Sequence, residues 1–439
     1  MPTPAIHRHH KPQSSLLPLL SAHLPYSGPL FRRIQHSLTY PSETAHILAT
    51  FPQAPTATSV NPHSPWLAAY VDVYAGRETQ IWLYSSVEAG ASVPSIHEWA
   101  AIEGLLSATD QWSKLVLEPE IASEIQAQLL CLCLYIQTHL IPPYISYLES
   151  QGNGRNHPPD SSPQTPFHGK SVKKIPSHPP TSFMFGSLHT GIYDLLQATK
   201  TTPENIPPHL PRIRIPPRDS GVYLKYIFHR STYDPLSKKH EGTSEISDND
   251  SGLPQGYRFH DLKRRSGVQA QQLDLVLSRT DIPRSKKILQ QNPSVAVYYD
   301  GGADDTCSSC PGVTANRDPG CALGEMPVAW AFLGLDGSLC TLHVEEGHRR
   351  HGLARVIGRE VMKLAMGEKG GVFTAGFGSR SGFDRGEIGE IGKGEDDNDQ
   401  GWIFADVSLQ NKVSRKVMGK LGGEPAWTVK WVVVEVVED

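Results

Sequence analysis

Cysteine, long apolar runs and early acidic residues are scarce in this chain, and each scarcity excludes a class of protein. Six cysteines in 439 residues are too few for a disulfide framework, which favours a reducing compartment. No uninterrupted apolar run reaches about 18 residues, so we expect neither a membrane span nor a membrane partner. The early apolar stretch is short and broken by Pro18, unlike a signal peptide. No acidic residue precedes Glu43, so a mitochondrial destination stays open beside the expected cytoplasmic one.

A strong charge of one sign is also lacking. The net charge is −4 and the sequence pI is about 6.6, so no overall field favours nucleic acid as a partner. Only 38% of the residues are hydrophobic, whereas glycine (38) and proline (36) are plentiful. That composition fits folded modules diluted by loops, and the length predicts two domains.

Composition places these domains at the two ends of the chain. Residues 12–150 predict an N-terminal α/β lobe, with strands at "HILATFP", "WLAAYVDVYAG" and "TQIWLYSSVEA" and a buried helix that ends at Pro142. Residues 151–186 predict a disordered linker, and residues 187–252 an irregular bridge followed by a polar linker. Residues 253–437 predict the second domain, with inserted loops at 301–325 and 370–401.

The second domain has a regular predicted order. It runs strand, helix, helix, strand, hairpin, helix, strand, helix, strand. Asp336-Gly337 marks the turn of the hairpin. Asp281 is the expected cap of the second helix, and "LGG" after Lys420 is the expected stop of the last one.

The stretch "LHVEEGHRRHGLARVIGREVM" joins the hairpin to the next helix and carries a candidate anion site. Arg349, Arg350 and His351 lie on the turn, and Gly352 allows a close backbone approach. Ala354 leaves the first helical turn uncrowded. A helix N-terminus offers N–H donors and a favourable dipole, so this turn suits a pyrophosphate. A solvated basic turn is the alternative.

A metal-dependent module is a competing reading. Cys307 and Cys310 form a C-x-x-C pair, and Cys321 adds a third sulfur, but no fourth ligand is evident. We therefore expect no metal site. Stoichiometric zinc in the purified protein would favour this reading.

Two segments together resemble the GCN5-related N-acetyltransferase (GNAT) superfamily. Arg349-x-x-Gly352-x-Ala354 after an apolar strand resembles its acyl-CoA-binding motif. "ADVSLQNKVSRKVMGKLGG" resembles its second conserved block, with Asn411 and Ser414 at the corresponding positions. "PVAWAFLGLDGSLCTLHV", "RRHGLA" and "WTVKW" are most similar to the glycine N-acyltransferase-like branch. The resemblance covers roughly 180 residues and implies a mixed α/β fold, in which the N-terminal lobe would be a degenerate half of the same kind.

The resemblance also implies an activity and a site. The protein would be an acyl-CoA-dependent N-acyltransferase, in the first instance an acetyltransferase that uses acetyl-CoA, in which an amine attacks the thioester directly. Catalytic positions would be Ser338, Asn411 and Ser414. The expected acyl-CoA-binding residues are Leu342, His343, Val344, Arg349, Arg350, His351, Gly352, Leu353, Ala354, Arg355 and Asn411. Backbone N–H groups near Leu342 would stabilise the oxyanion.

The chain departs from the superfamily pattern at two positions. Ser338 stands where a carboxylate base is common, and Met418 stands where a tyrosine acid is common. Without a strong base, an α-amine of pKa about 8 is a better acceptor than a lysine amine of pKa about 10.4. Asp336, His343 and Glu345 are nearby base candidates, and the alternative for each is a turn former or a solvated strand end.

Basic residues between the first two helices of the second domain suggest an acceptor contact. They are Arg279, Arg284, Lys286 and Lys287. Arg279 is the expected ligand of an acceptor carboxylate, and a solvated helix end is the alternative. The acceptor would be a small-molecule or peptide amine. A catalytically weak acyl-CoA-binding or interaction protein, and a protein lysine or N-terminal acetyltransferase, stay open, as does the oligomeric state.

Overall fold

In the computed structural model the described residues are 4–53, 64–76, 78–90, 114–151, 178–201, 207–217, 221–230, 252–280, 282, 284–300, 325–366, 373 and 401–437. The predicted inserts at 301–325 and 370–401 lie almost wholly outside them, as do Cys307, Cys310 and Cys321.

The N-terminal half contains both helices and strands. Its strands are β1 (His7–Arg8), β2 (His46–Ala49), β3 (Leu67–Val71), β4 (Ile81–Ser85), β5 (Ser182–His189), β6 (Arg212–Arg214) and β7 (Tyr223–His229). Its helices are α1 (Pro12–Ser15), α2 (Leu17–Ser21), α3 (Gly28–Thr39), α4 (Pro119–Tyr135), α5 (Ile141–Ser150) and α6 (Thr190–Thr201).

The C-terminal half follows the predicted order of elements. Its strands are β8 (Tyr257–Arg258), β9 (Ser294–Tyr299), β10 (Ala329–Leu333), β11 (Leu339–Val344), β12 (Trp402–Ser408) and β13 (Glu424–Val437). Its helices are α7 (Leu273–Arg279), α8 (Lys286–Gln291), α9 (Leu353–Met366) and α10 (Lys412–Lys420). The mixed α/β class is therefore confirmed. Helix α8 begins at Lys286 and is capped by the Ser285 hydroxyl, which accepts from the Ile288 N–H, so the cap is not the predicted Asp281, which lies outside the described residues.

The two halves exchange strands. Among the described residues the larger sheet has the order β1-β2-β3-β4-β5-β13-β7-β12, with β6 also on β13, and the smaller has the order β11-β10-β9-β8. The last strand of the chain, β13, thus pairs with β5 of the N-terminal half, while β7 of the N-terminal half lies between β13 and β12. The larger sheet therefore combines strands of both halves, whereas the smaller sheet consists only of strands of the C-terminal half.

Several predicted boundaries are wrong because of this exchange. Residues 187–252 were expected to form an irregular bridge, but β5, α6, β6 and β7 occupy much of 182–229. The linker predicted over 151–186 ends earlier, because β5 begins at Ser182. The first lobe also starts before residue 12, at β1. These strands are short, and their flanks are rich in proline and polar residues. Because their pairing partners are also distant in the sequence, the sequence pattern did not reveal them.

The long helical run after residue 118 does not end at Pro142. A π-helical turn, Ile136–Leu140, links α4 to α5, and proline occupies the first turn of α5, where its missing N–H is no loss. By length and composition Pro119–Ser150 could cross a membrane, yet 50% of its most apolar window is buried inside the protein. Cys131 and Cys133 pack in that core.

Two layers of helix cover the sheet of the C-terminal half. Helix α9 packs Leu353, Ile357 and Val361 against one face, together with Ile403 and Ala405 of β12. Helices α7 and α8 pack against Trp330 and Phe332 of β10 on the other face. Alternation along β12 turns Phe404 and Asp406 towards this second face.

Helix α3 of the N-terminal half packs on the same second face, next to β12. A Cβ added to Gly28 would lie 2.0 Å from Cζ of Phe404, so the first turn of α3 sits directly on that ring. We expect Gly28→Ala to lower the free energy of unfolding by about 1–3 kcal/mol through overpacking, as measured by urea denaturation.

Gly90→Ala is a matched control, because a Cβ there meets nothing within 4 Å. We also expect Gly28→Ala/Phe404→Leu to regain part of the lost stability, because the smaller side chain leaves room for the added Cβ. Equal stability of the Gly28→Ala and Gly90→Ala variants would show that α3 does not press on β12.

Candidate functional site

A gap opens between β11 and β12, which run side by side and in parallel at their start. Among the described residues they are joined by one parallel bridge, between Ser338 and Phe404. Beyond it the two strands separate. β11 also carries a bulge, because its register on β10 shifts by one residue between Cys340 and His343, and Thr341 has φ of +53°. Among the residues that the structure describes, no strand pairing joins β11 to β12 beyond this bridge.

The backbone of Val344 faces this gap. The Glu345 N–H donates to the Val328 carbonyl of the neighbouring chain segment at 2.8 Å. Backbone groups alternate in direction along an antiparallel strand, so those of Val344 point the opposite way. Consistently, the Val344 carbonyl accepts from Nε of Arg349 at 3.2 Å. The N–H of Val344 is therefore aimed where an oxyanion could be stabilised, whereas Leu342 lies in the bulge, where the alternation is interrupted.

A basic turn lies at the C-terminal end of this strand. Arg349, Arg350 and His351 are exposed on it, and Arg350 and Gly352 have φ of +72° and +77°. A Cβ on Gly352 would meet nothing within 4 Å, so the space before α9 is open. Leu353 anchors the helix in the core at 1% exposure. The N–H groups of Leu353 and half-buried Ala354 precede the first intrahelical bonds, whereas the N–H of exposed Arg355 donates to the Gly352 carbonyl at 3.0 Å. This turn can hold an anion.

The segment that follows β12 folds as a capped helix. The Asn411 side-chain oxygen accepts from the Ser414 N–H at 3.0 Å and so caps α10. Asn411 is exposed and Ser414 is half-buried. Met418, at the position of the superfamily tyrosine, is 3% exposed and packs in the core. The structure thus gives Asn411 and Met418 a role in stability.

Ser338 lies at the closed end of the gap. Its hydroxyl donates to Oδ1 of Asp336 at 2.6 Å, and both side chains are buried. Ser338 therefore marks the position where the strands diverge, and its proton is committed to Asp336. Neither side chain reaches the wide part of the gap near Val344.

The basic and acidic candidates at the open end bind one another. Nε of Arg279 donates to Oε1 of Glu345 at 2.8 Å, and Nε2 of His343 is 3.8 Å from the same oxygen. Burial would raise the pKa of Glu345, but the hydrogen bonds from His343 and Arg279 outweigh it and hold that pKa below its usual value. The His343 ring also stacks on Trp330 at 4.7 Å. Arg279 is thus engaged with a neighbouring acid.

Arg284 belongs to the same loop and lies close enough to β11 and β7 to act on their side chains. It influences the electrostatics of both Cys340 on β11 and Tyr223 on β7, which flank the opening. Within the described ranges it has neither a hydrogen bond nor an ion pair. Burial raises the pKa of the Cys340 thiol, which argues against a cysteine nucleophile.

Three polar residues that the sequence analysis did not single out lie on the same face. Nζ of Lys225 is 2.7 Å from Oδ1 of Asp406, and the Ser187 hydroxyl donates to Oδ2 at 3.1 Å. The signal was present, because Lys225 and Asp406 interrupt the apolar strands "YLKYIFH" and "WIFADVS". No metal-binding group of three or more His, Cys, Asp or Glu side chains occurs in the part of the chain that the structure describes.

Comparisons with known proteins give one family match. The family described as the acyl-CoA N-acyltransferase verG N-terminal domain matches residues 3–226, just over half of the 439-residue chain. No curated protein matches. The X-ray structure of a Drosophila protein covers 98% of this chain and 98% of its own, at a TM-score of 0.42 and 9% identity. A GCN5-related N-acetyltransferase from Kribbella flavida covers 52% of this chain and 61% of its own, at a TM-score of 0.23 and 12% identity.

Proposed function

Because the chain belongs to the acyl-CoA N-acyltransferase verG N-terminal domain family, we propose that it transfers an acyl group from acyl-CoA to an amine in the gap between β11 and β12. Membership makes the protein an acyltransferase that uses an acyl-CoA. The choice of acetyl-CoA, direct attack by the amine and kinship with the glycine N-acyltransferase-like branch are parts of the proposal. So are a cytoplasmic location and a lack of nucleic-acid and membrane partners.

The observation that carries the proposal is the opening of β11 from β12 next to the basic turn of α9. The pyrophosphate of CoA would bind the first-turn N–H groups at Gly352, with Arg349, Arg350 and His351 at the rim. Its pantetheine arm would enter the gap. The thioester carbonyl would then lie near the outward N–H groups of β11, where charge develops during attack.

The reaction needs a neutral amine on the far side of the thioester. Attack on the carbonyl gives a tetrahedral intermediate, which expels the CoA thiolate. Buried Met418 supplies no proton to it. A thiol of pKa about 8.5 nevertheless leaves readily as thiolate, so the missing tyrosine costs little.

One alternative has support from particular residues. Ser338 at the usual base position donates to Asp336, and Met418 is a core residue, as expected if the protein binds acyl-CoA but turns it over weakly. A protein lysine or N-terminal acetyltransferase is a further alternative within the same reaction class. Turnover, rather than binding, separates these functions.

The decisive screen measures CoA release from acetyl-CoA and longer acyl-CoAs with a panel of amines. We expect release that depends on both the acyl-CoA and the amine, with an enzyme-free blank and an amine-free blank subtracted. Binding of acyl-CoA with no amine-dependent release in any combination would favour the weakly catalytic alternative.

The acceptor side yields a second expectation. Small amines that carry a carboxylate should react faster than lysine peptides, because the lysine amine is largely protonated and arginine recognises carboxylates well. Arg284→Ala should raise KM for such amines on the order of tenfold, with little change in kcat. Arg279→Ala should raise KM less, since Arg279 already pairs with Glu345.

Arg214→Ala is a suitable control for the arginine variants, because Arg214 pairs with Glu435 on β13. Faster turnover of lysine peptides than of carboxylate-bearing amines would contradict the expected acceptor class. Wild-type kinetics in both gap-side arginine variants would remove the carboxylate contact while leaving the acyl-CoA site intact.

A further inference from the structure

A carboxylate lies at the first open position of the gap. Asp406 comes two residues after Phe404, which bridges to Ser338, and Cys340 comes two residues after Ser338 on the facing strand. Side chains alternate along a strand, so Asp406 shares the face of Phe404, the face that α3 covers. This is the face opposite α9, and therefore opposite the proposed CoA entrance.

The carboxylate is held by residues of the N-terminal half. Lys225 of β7 is directly opposite Asp406 in the β7–β12 register, and Ser187 comes from the bulged part of β5. The Lys225 side chain is 1% exposed and that of Asp406 is 10% exposed. Lys225 and Ser187 also line a small pocket together with Glu88. The ion pair is thus shielded from bulk water but remains close to a cavity.

A buried pair of this kind is costly to place in a core. The free-energy cost of desolvating two charges offsets much of their mutual attraction. Stability alone is therefore a weak explanation for a buried ion pair. A pair of apolar residues would fill the same positions on β7 and β12. The polar cluster therefore points to a chemical role at the gap.

We propose that Asp406 is the base that removes a proton from the acceptor amine, and that Lys225 and Ser187 are positioning residues that hold its carboxylate at the gap. This inference rests on the proposed acyl transfer. It gives the N-terminal half a task in catalysis, since both positioning residues fall within the family match at 3–226.

The other candidates are less suited to this task. Ser338 donates its proton to Asp336 at 2.6 Å, and Glu345 lies at the far end of β11, where hydrogen bonds from His343 and Arg279 hold its pKa below its usual value. His343 stacks on Trp330 beside Glu345. Asp406 also has a basic partner, Lys225, but it lies two residues beyond the bridge that closes the gap.

The surroundings increase the proton affinity of Asp406. Burial raises the pKa of its carboxyl group, Lys225 acts in the opposite direction, and Asp336 raises it further, with a net upward result. The charged and titratable groups that face this cluster are Lys225 and Tyr223 of β7, Glu88 after β4, Arg33 of α3, Arg284 before α8, and Asp336 and Cys340 at β11.

Each proton and each bond of the proposed reaction is accounted for. The ammonium of the acceptor gives one proton to the Asp406 carboxylate and becomes a neutral amine. The nitrogen lone pair forms the C–N bond to the thioester carbon, and the C–S bond breaks as the tetrahedral intermediate collapses. The second nitrogen proton goes with the CoA thiolate to give the thiol. Asp406 then releases its proton to solvent, so amide, CoA and one proton are formed.

The test compares two nucleophiles in wild type and Asp406→Asn. Glycine, or the best alkaline amine of the panel, is mostly protonated at pH 7, whereas hydroxylamine is mostly neutral. We expect Asp406→Asn to lower kcat/KM about a hundredfold for the alkaline amine and less than about threefold for hydroxylamine. In wild type, kcat/KM should fall as the pH drops below the pKa of Asp406. In the variant it should keep rising with pH until the amine itself is neutral.

Glu435→Gln serves as the control, because this carboxylate also pairs with a basic residue but lies on the β6–β13 edge. Acetyl-CoA affinity, measured by calorimetry, should not change in any variant. If Asp406→Asn fails to fold around an unpaired Lys225, Asp406→Asn/Lys225→Met removes both charges and takes its place.

The possible results distinguish the proposed role of Asp406 from the proposed acyl-transfer activity. Equal losses for both nucleophiles, or no loss for the alkaline amine, would overturn the role of Asp406 while leaving acyl transfer intact. A selective loss for the alkaline amine with an altered pH profile supports it. Absence of amine-dependent CoA release in wild type would overturn the proposed function, and this inference with it.

Discussion

Gly352→Asp is expected to abolish acyl-CoA binding, with a rise in Kd of at least about a hundredfold, equivalent to about 2.7 kcal/mol. The variant puts a carboxylate where the pyrophosphate should meet the N-terminus of α9, and it replaces attraction by repulsion. The fold should tolerate the side chain sterically, because a Cβ on Gly352 meets nothing within 4 Å. Calorimetry with acetyl-CoA measures the effect.

Strain needs a separate control, because Gly352 has φ of +77°. Gly422 follows α10, has φ of +86° and also has open space around its Cβ position. Gly422→Asp should therefore carry a comparable backbone strain without a loss of acyl-CoA affinity. Unchanged affinity in a folded Gly352→Asp variant would show that the pyrophosphate does not bind at this turn.

A fragment that begins at Gly252 is expected not to fold, although it contains the whole segment that resembles the superfamily. It lacks β7, which lies between β12 and β13, and it lacks β5 and β6, which also pair with β13. Two strands would expose their unpaired backbone groups and the apolar face beneath them. Circular dichroism and urea denaturation should show no cooperative transition.

The matched fragment begins at Gly221 and so keeps β7. It restores the pairing of β12 with β7 and of β7 with β13, so it should contain more structure than the shorter fragment. A shorter fragment that unfolds cooperatively and binds acyl-CoA would contradict the strand exchange as a requirement for the fold.

The sequence predicted the local elements of the C-terminal half well. Apolar periodicity located β9, β10, β11, α9, β12 and β13, and Asp336-Gly337 lies in the turn between β10 and β11 as expected. Such features depend on residues close in the chain. The two glycines after Leu421 likewise end α10 as predicted.

The exchange of strands could not be predicted in the same way. Alternating apolar residues mark a strand but not its partner, and β13 pairs with β5, more than 200 residues earlier in the chain. Ser182–His189 was hidden at the end of a segment rich in proline and serine. Proline-rich flanks likewise concealed Arg212–Arg214, which pairs with the end of β13.

The sequence predicted the backbone features of the candidate site better than its side-chain contacts. The basic turn and Gly352 follow from local sequence. The contacts of Arg279 with Glu345 and of Asp406 with Lys225 depend on which face each strand presents after the halves join. The predicted roles of Ser338, Asn411, Ser414 and the acyl-CoA-binding residues remain predictions.

The most direct measurement is a product analysis of the wild-type protein with acetyl-CoA, the longer acyl-CoAs and the amine panel. Mass spectrometry would quantify the N-acylated amine while a thiol reagent quantifies CoA, with Gly352→Asp as the site-directed control. The account predicts that amide and CoA form in equal amounts and that both are lost in the control. CoA release without amide, or equal amide formation by wild type and Gly352→Asp, would contradict it.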